Sequence, residues 1–153
     1  MEEGVFLKVS SKGEYALRAL IVLGQQNEKV MSISSISEKT LVTVSYLEQI
    51  LLQLKKKGYV ESKRGAQGGY FLKLSPSEIN IGEVVRQIEG PLSPMGCASV
   101  TAYQPCPLEA ACLLKPLWTL VRDIIANVLE QTTLNDLLEG NIDKFADKAK
   151  MHV

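Results

Sequence analysis

Between Val44 and Leu74 a helix, a basic run and a glycine-rich hairpin follow one another without a break, and few folds accept that order. Leu47, Ile50, Leu51 and Leu54 fall at i, i+3, i+4 and i+7, so a helix over Val44–Lys57 has one apolar face for a core. Ser45, Tyr46, Gln49, Gln53 and Lys56 then project outward, either as a solvated face or as a reading face. Thr43 suits the N-cap, because its hydroxyl can accept from an orphan backbone N–H of the first turn. Gly58 ends the helix. Tyr59-Val60-Glu61-Ser62 and Tyr70-Phe71-Leu72-Lys73-Leu74 read as two short strands, and Lys63-Arg64-Gly65-Ala66-Gln67-Gly68-Gly69 forms the loop between them.

The residues before this stretch supply its support. Tyr15–Leu23 is too uniformly apolar for a one-sided surface helix, which predicts a buried first helix ending near Gly24. Ser32 precedes Ile33 and Ile36 at helical spacing, so a short second helix closes near Thr40, with Leu41 and Val42 as the turn. Helix, turn, helix and two-stranded wing is the order of a winged helix-turn-helix. In that arrangement the outward face of the third helix meets base edges in the major groove, and the wing lies on the backbone or minor groove. Gly65, Gly68 and Gly69 would supply positive φ and close approach to phosphate, and Arg64 is the candidate minor-groove or phosphate probe. The chain carries 17 basic and 17 acidic residues, so a polyanion must be held by a local patch rather than by net charge.

Asn80 with Glu83 resembles a capping pair for a helix through Val84, Val85 and Ile88, which Gly90-Pro91 terminates. A winged domain is then expected to close its core by Gly90, giving residues 1–90 as the DNA-binding domain. Residues 91–113 lack periodicity and read as a loop. Leu117, Leu120, Val121, Ile124, Ile125, Val128 and Leu129 repeat at helical spacing, so a long amphipathic helix starts near Pro116. With few partners left in its own chain, its stripe is expected to pair with a second copy, and a homodimer would present two reading helices to a pseudo-palindromic site on double-stranded DNA. Thr133–Asp136 caps a further short helix within 114–140, and the polar tail 141–153 is expected to fray. The fold class is therefore mainly α with a small β-wing, a winged helix-turn-helix domain plus a long C-terminal dimerisation helix.

Cys97, Cys106 and Cys112 are the only cysteines, and all fall in the loop. An odd number so confined suits metal or redox chemistry in a reducing compartment better than a disulfide framework, and with no signal-peptide pattern a cytoplasmic protein without membrane contact is expected. Thiolates suit zinc or an iron–sulfur cluster, both of which take four ligands, so a fourth donor is needed. Four residues are candidates for that place. His152 lies in the tail, the Lys115 ammonium has no lone pair to give, and Glu109 lies inside the loop. Glu14 opens the first helix beside an apolar run, where a carboxylate needs a partner or serves the helix dipole. Catalysis is not expected: there is no nucleotide-binding glycine loop, no nucleophile–base pair and a single histidine.

Over nearly its whole length the chain resembles the bacterial winged-helix regulators of the IscR, NsrR, RirA and CymR group, which sense iron–sulfur status, nitric oxide, iron or cysteine supply. The resemblance is carried by Ser11-Lys12-Gly13-Glu14-Tyr15-Ala16-Leu17, by Ser45-Tyr46-Leu47-Glu48-Gln49, by Arg64-Gly65-Ala66-Gln67-Gly68-Gly69-Tyr70, and by the three cysteines followed by Leu117-Trp118. It implies a homodimeric transcription regulator with an iron–sulfur cluster on Cys97, Cys106 and Cys112. It also implies that Ser45, Tyr46, Glu48 and Gln49 face the major groove, with Arg64 in the minor groove; Lys56, Lys63, Gly65, Gln67 and Gly68 are expected as further DNA contacts. Members with a histidine ligand carry it where Lys115 stands here, and others take a carboxylate from the position of Glu14. A 2Fe–2S centre is favoured over 4Fe–4S, and a cluster-free apo form is allowed. Thiol- or zinc-based sensing without iron, and a winged-helix protein-interaction module, are the alternatives.

Overall fold

The computed structural model describes residues 9–27 and 29–146. Six helices, α1 (Ser11–Gly24), α2 (Ile33–Thr40), α3 (Val44–Lys56), α4 (Ile81–Glu89), α5 (Lys115–Glu130) and α6 (Leu134–Glu139), accompany one antiparallel pair, β1 (Val60–Lys63) and β2 (Gly69–Leu72). Short 3-10 turns at Pro76–Glu78, Gly96–Ala98, Glu109–Ala111 and Asp143–Phe145 complete the order. This is a winged helix-turn-helix, mainly helical with a small wing.

Most helix starts are set by the polar residues that precede them. Ser10, Ser32, Thr43, Asn80 and Thr133 each accept a backbone N–H with the side chain, which satisfies a donor the helix itself leaves orphaned. Asn80 supplies half of the expected pair: its Oδ1 accepts from Glu83 N at 3.0 Å, while the Glu83 carboxylate accepts from Gln87 instead. At Thr133 the box is reciprocal, with Asp136 accepting from Thr133 N at 2.9 Å.

The central element is α1, which touches α2, α3, α4, α6 and β2. Ala16, Ala19, Leu20 and Leu23 face inward and meet Ile36 of α2, Leu47, Ile50, Leu51 and Leu54 of α3, and Val84 of α4. The helix is not enclosed on all sides as its composition suggested, because Glu14 and Arg18 share an exposed face. The wing joins this core through Tyr59, Val60 and Leu72, and an isolated bridge pairs Met31 with Tyr70.

Two expectations change. The core does not close by Gly90: Leu134 of α6 is fully buried in it, and the Leu134 amide donates to Ile79 O at 2.8 Å. A six-residue helix downstream therefore seals the winged half, an arrangement that no local pattern around Gly90 could disclose. The start of the tail is also ordered. The Asp143–Phe145 turn buries Phe145, and Lys144 Nζ donates to Gln131 O and to Asp136 at 2.7 Å. Residues beyond Ala146, including His152, lie outside the described residues.

Candidate nucleic-acid interface and cysteine loop

The burial of Leu47, Ile50, Leu51 and Leu54 fixes the rotation of α3 about its axis. Ser45, Glu48, Gln49 and Lys56 are exposed as a consequence. Tyr46 and Gln53 differ from the expected outward face, since both are half-buried. The Tyr46 ring stands edge-on to Tyr15 with centroids 5.8 Å apart, because its position in the first turn faces α1.

Lys55 is consumed internally and ties α3 to the wing. Its ammonium lies 3.2 Å from Glu61 and donates to Ser62 Oγ at 2.6 Å. The Glu61 carboxyl is held below the usual range by the Ser62 backbone N–H and then by Lys55. Lys56, Lys63 and Arg64 have no carboxylate partner among the described residues, and all three are exposed.

The wing tip is exposed from Lys63 through Gln67. Gly65 takes φ +111° there, which an L side chain rarely adopts. Gly68 departs from expectation in having no positive φ. Its constraint is space, since a Cβ would lie 2.3 Å from the Lys63 carbonyl oxygen.

The cysteine loop is pinned at both ends. The Ala98 carbonyl, next to Cys97, accepts from Arg122 Nη1 of α5 at 2.6 Å. Around the Glu109–Ala111 turn the Glu109 amide donates to Cys106 O at 3.0 Å, and the Cys112 amide donates to Glu109 O at 3.3 Å. The Glu109 carboxylate pairs with Lys115, accepts from the Tyr103 hydroxyl, and receives a long contact from the Cys106 amide at 3.5 Å. That network lowers the Glu109 pKa, chiefly through Lys115, and raises those of Lys115 and Tyr103, chiefly through Glu109. The six-residue separation of Glu109 and Lys115 spans the junction of a 3-10 turn and a helix, so periodicity gives no sign of the pair.

All three cysteines are free thiols; Cys106 is exposed and the others are half-buried. Among the described residues no three His, Cys, Asp or Glu side chains are gathered as a metal site. Glu14 stands apart on α1, exposed and paired with Arg18. In donor chemistry the loop fits a thiolate-bound cluster: three soft sulfur donors, each accessible, on one short segment.

α5 shows a different kind of surface. It buries no residue fully, and Leu117, Leu120 and Ile124 are 48%, 57% and 50% exposed along one stripe that continues from Leu113. Among the described residues no helix is long and apolar enough to cross a membrane.

Residues 9–140 match the Rrf2 family, described as an iron-dependent transcriptional regulator. The chain belongs to the Rrf2 family. The HTH-type transcriptional regulator CymR of Bacillus subtilis is 37% identical over 132 residues, covering 86% of this chain and 89% of that protein. The HTH-type transcriptional regulator IscR of Aliivibrio salmonicida is 33% identical over 136 residues, covering 88% and 79%. Among solved structures, the global cysteine regulator CymR (YrzC) of B. subtilis superposes with TM-score 0.71 at 36% identity, covering 86% of this chain and 96% of that one. IscR of T. potens gives 0.68 at 34% identity, covering 88% of each. These Rrf2 relatives are transcriptional regulators and not enzymes, and the chain is accordingly a DNA-binding transcription regulator with the winged-helix fold.

Proposed function

We propose that the chain acts as a homodimer that reads a pseudo-palindromic DNA site with α3 and the wing, and whose affinity is switched by an iron–sulfur cluster on Cys97, Cys106 and Cys112. The observation that carries the reading is the division of α3, which buries four apolar side chains and leaves Ser45, Glu48 and Gln49 exposed beside unpaired Lys56, Lys63 and Arg64. Polar side chains on such a face can meet base edges, while the lysines and the wing backbone at Gly65, Gln67 and Gly68 hold phosphate. Tyr46, packed on Tyr15, offers its hydroxyl end. Arg64 at the wing tip reaches the minor groove.

The dimer reading is supported by the stripe Leu113, Leu117, Leu120 and Ile124, which is exposed in the single chain. To read two half-sites one helical turn of DNA apart, two copies joined there would have to present their α3 helices about 34–36 Å apart.

The three thiols would bind the cluster as thiolates, and the cluster would supply sensitivity to iron and oxidants. The fourth ligand in this reading is Glu14, which would have to leave Arg18 to serve. The protein's own residues relay the state of the loop. Glu109 and Lys115 couple the loop to the start of α5, and Arg122 couples Ala98 to its middle. At its far end α5 is tied to α4 by the Arg86–Glu130 pair and by Asn80 donating to Glu130 O. α4 packs on α1, and α1 supports α3. A change in the loop thus has a continuous packed route to the reading helix.

Anaerobic purification followed by an absorption spectrum with iron and sulfide counts tests the cofactor. Bound iron and sulfide with charge-transfer bands, lost in Cys106→Ala, are expected. A full cluster spectrum in Cys106→Ala would overturn the ligand assignment. The same three free thiols favour a second reading, thiol- or zinc-based sensing without iron, which zinc or no metal in the same counts would select.

A further inference from the structure

The turn between α2 and α3 holds a residue that the account of DNA reading has not used. Leu41 caps α2 in the left-handed region, at φ 58° and ψ 28°, and is 89% exposed. A branched side chain is disfavoured in that conformation, where its Cβ crowds the next carbonyl, and glycine is the usual occupant. Packing gives no compensation. Thr40 and Val42 on either side are buried, and Ser37 holds the turn from below, its Oγ donating to Val42 O at 2.6 Å and its carbonyl accepting from Leu41 N at 2.8 Å. The turn is thus fixed by its neighbours, and the leucine side chain alone stands in solvent.

Its location is the entrance of α3. Val44, the first residue of that helix, is also partly exposed, so two apolar side chains sit immediately ahead of Ser45, Glu48 and Gln49. In helix-turn-helix docking the N-terminal residues of the second helix are those that contact base edges. Apolar groups there have a specific complement in DNA, the C5-methyl of thymine in the major groove. We infer that Leu41, with Val44, determines specificity by contacting thymine methyl groups at one edge of each half-site. The inference rests on α3 being the DNA-reading helix.

The test begins with selection of a preferred site from a randomised duplex library by the full-length protein. Each thymine of the selected site is then replaced singly by deoxyuridine, which deletes the methyl and keeps the hydrogen-bonding edge. At one or two positions per half-site the wild-type Kd should rise about fourfold per methyl. Leu41→Gly, which suits the left-handed turn and should keep its circular dichroism, should bind thymine and deoxyuridine sites alike at one of those positions, and adding Val44→Ala should extend this to the other. A selected site at which every replacement is neutral for wild type, or equal losses in Leu41→Gly and wild type, would overturn the inference while leaving α3 as the reader. Absence of any enriched site would overturn the DNA reading itself.

Discussion

Single side chains on α3 fall into two kinds with different signatures on DNA. Gln49 is exposed on the reading face, so Gln49→Ala should cost about 1–3 kcal/mol on a cognate site and relax preference at one base pair. Lys56→Ala should weaken all sequences alike and lower the slope of log Kd against log salt by about one. Fluorescence anisotropy titrations at several salt concentrations separate the two. Tyr59 is another residue with a measurable consequence, because it is 3% exposed and its hydroxyl has no hydrogen-bond partner among the described residues. Burial pushes its pKa up to about 12, with Glu83 adding to the rise. The neutral phenol is the form favoured on folding, so this contribution is complete below the ordinary value of about 10 and is lost as pH rises through about 12. Tyr59→Phe should remove that titration from the ultraviolet difference spectrum and stabilise the fold by about 1 kcal/mol in urea unfolding. Leu41→Gly should also stabilise, by about 0.5–1 kcal/mol, since relief of the left-handed leucine exceeds the extra freedom of unfolded glycine.

At the scale of elements, α5 and α6 carry opposite expectations. Leu120→Glu places a charge in the exposed stripe of α5, where the single chain has room for it, so the fold should survive and the dimer should not. Light scattering after size exclusion should then report a monomer with an unchanged far-ultraviolet spectrum. Leu134→Ala in α6 should instead cost about 2–5 kcal/mol, because that side chain is fully enclosed by the winged core. The elements themselves were largely legible in the chain. Leu47, Ile50, Leu51 and Leu54 announce α3 by spacing, and Thr43 and Thr133 announce helix starts by chemistry. What escaped depends on contacts between distant segments. Nothing near Gly90 indicates that Leu134 will complete the core, and nothing near Tyr46 indicates that Tyr15 will cover its ring. The Glu109–Lys115 pair is similarly invisible to any periodic template.

For the whole molecule, a net charge of zero means that DNA binding must arise from arrangement. In the proposed reading that arrangement is Lys55 paired with Glu61, with Lys56, Lys63 and Arg64 exposed and without a carboxylate partner among the described residues. The same economy governs the proposed switch. The cysteine loop touches α5 at both Lys115 and Arg122, and α5 packs on α4, α4 on α1 and α1 on α3, so in the proposed switch the loop acts on binding through helix placement. The most direct test is the affinity of the anaerobically purified protein for its selected duplex, measured before and after the loop is stripped by an iron chelator, with Cys106→Ala as control. A change in Kd of tenfold or more, about 1.4 kcal/mol, is expected for wild type and none for Cys106→Ala. Equal affinities for the intact and stripped wild-type protein would contradict the proposed switch.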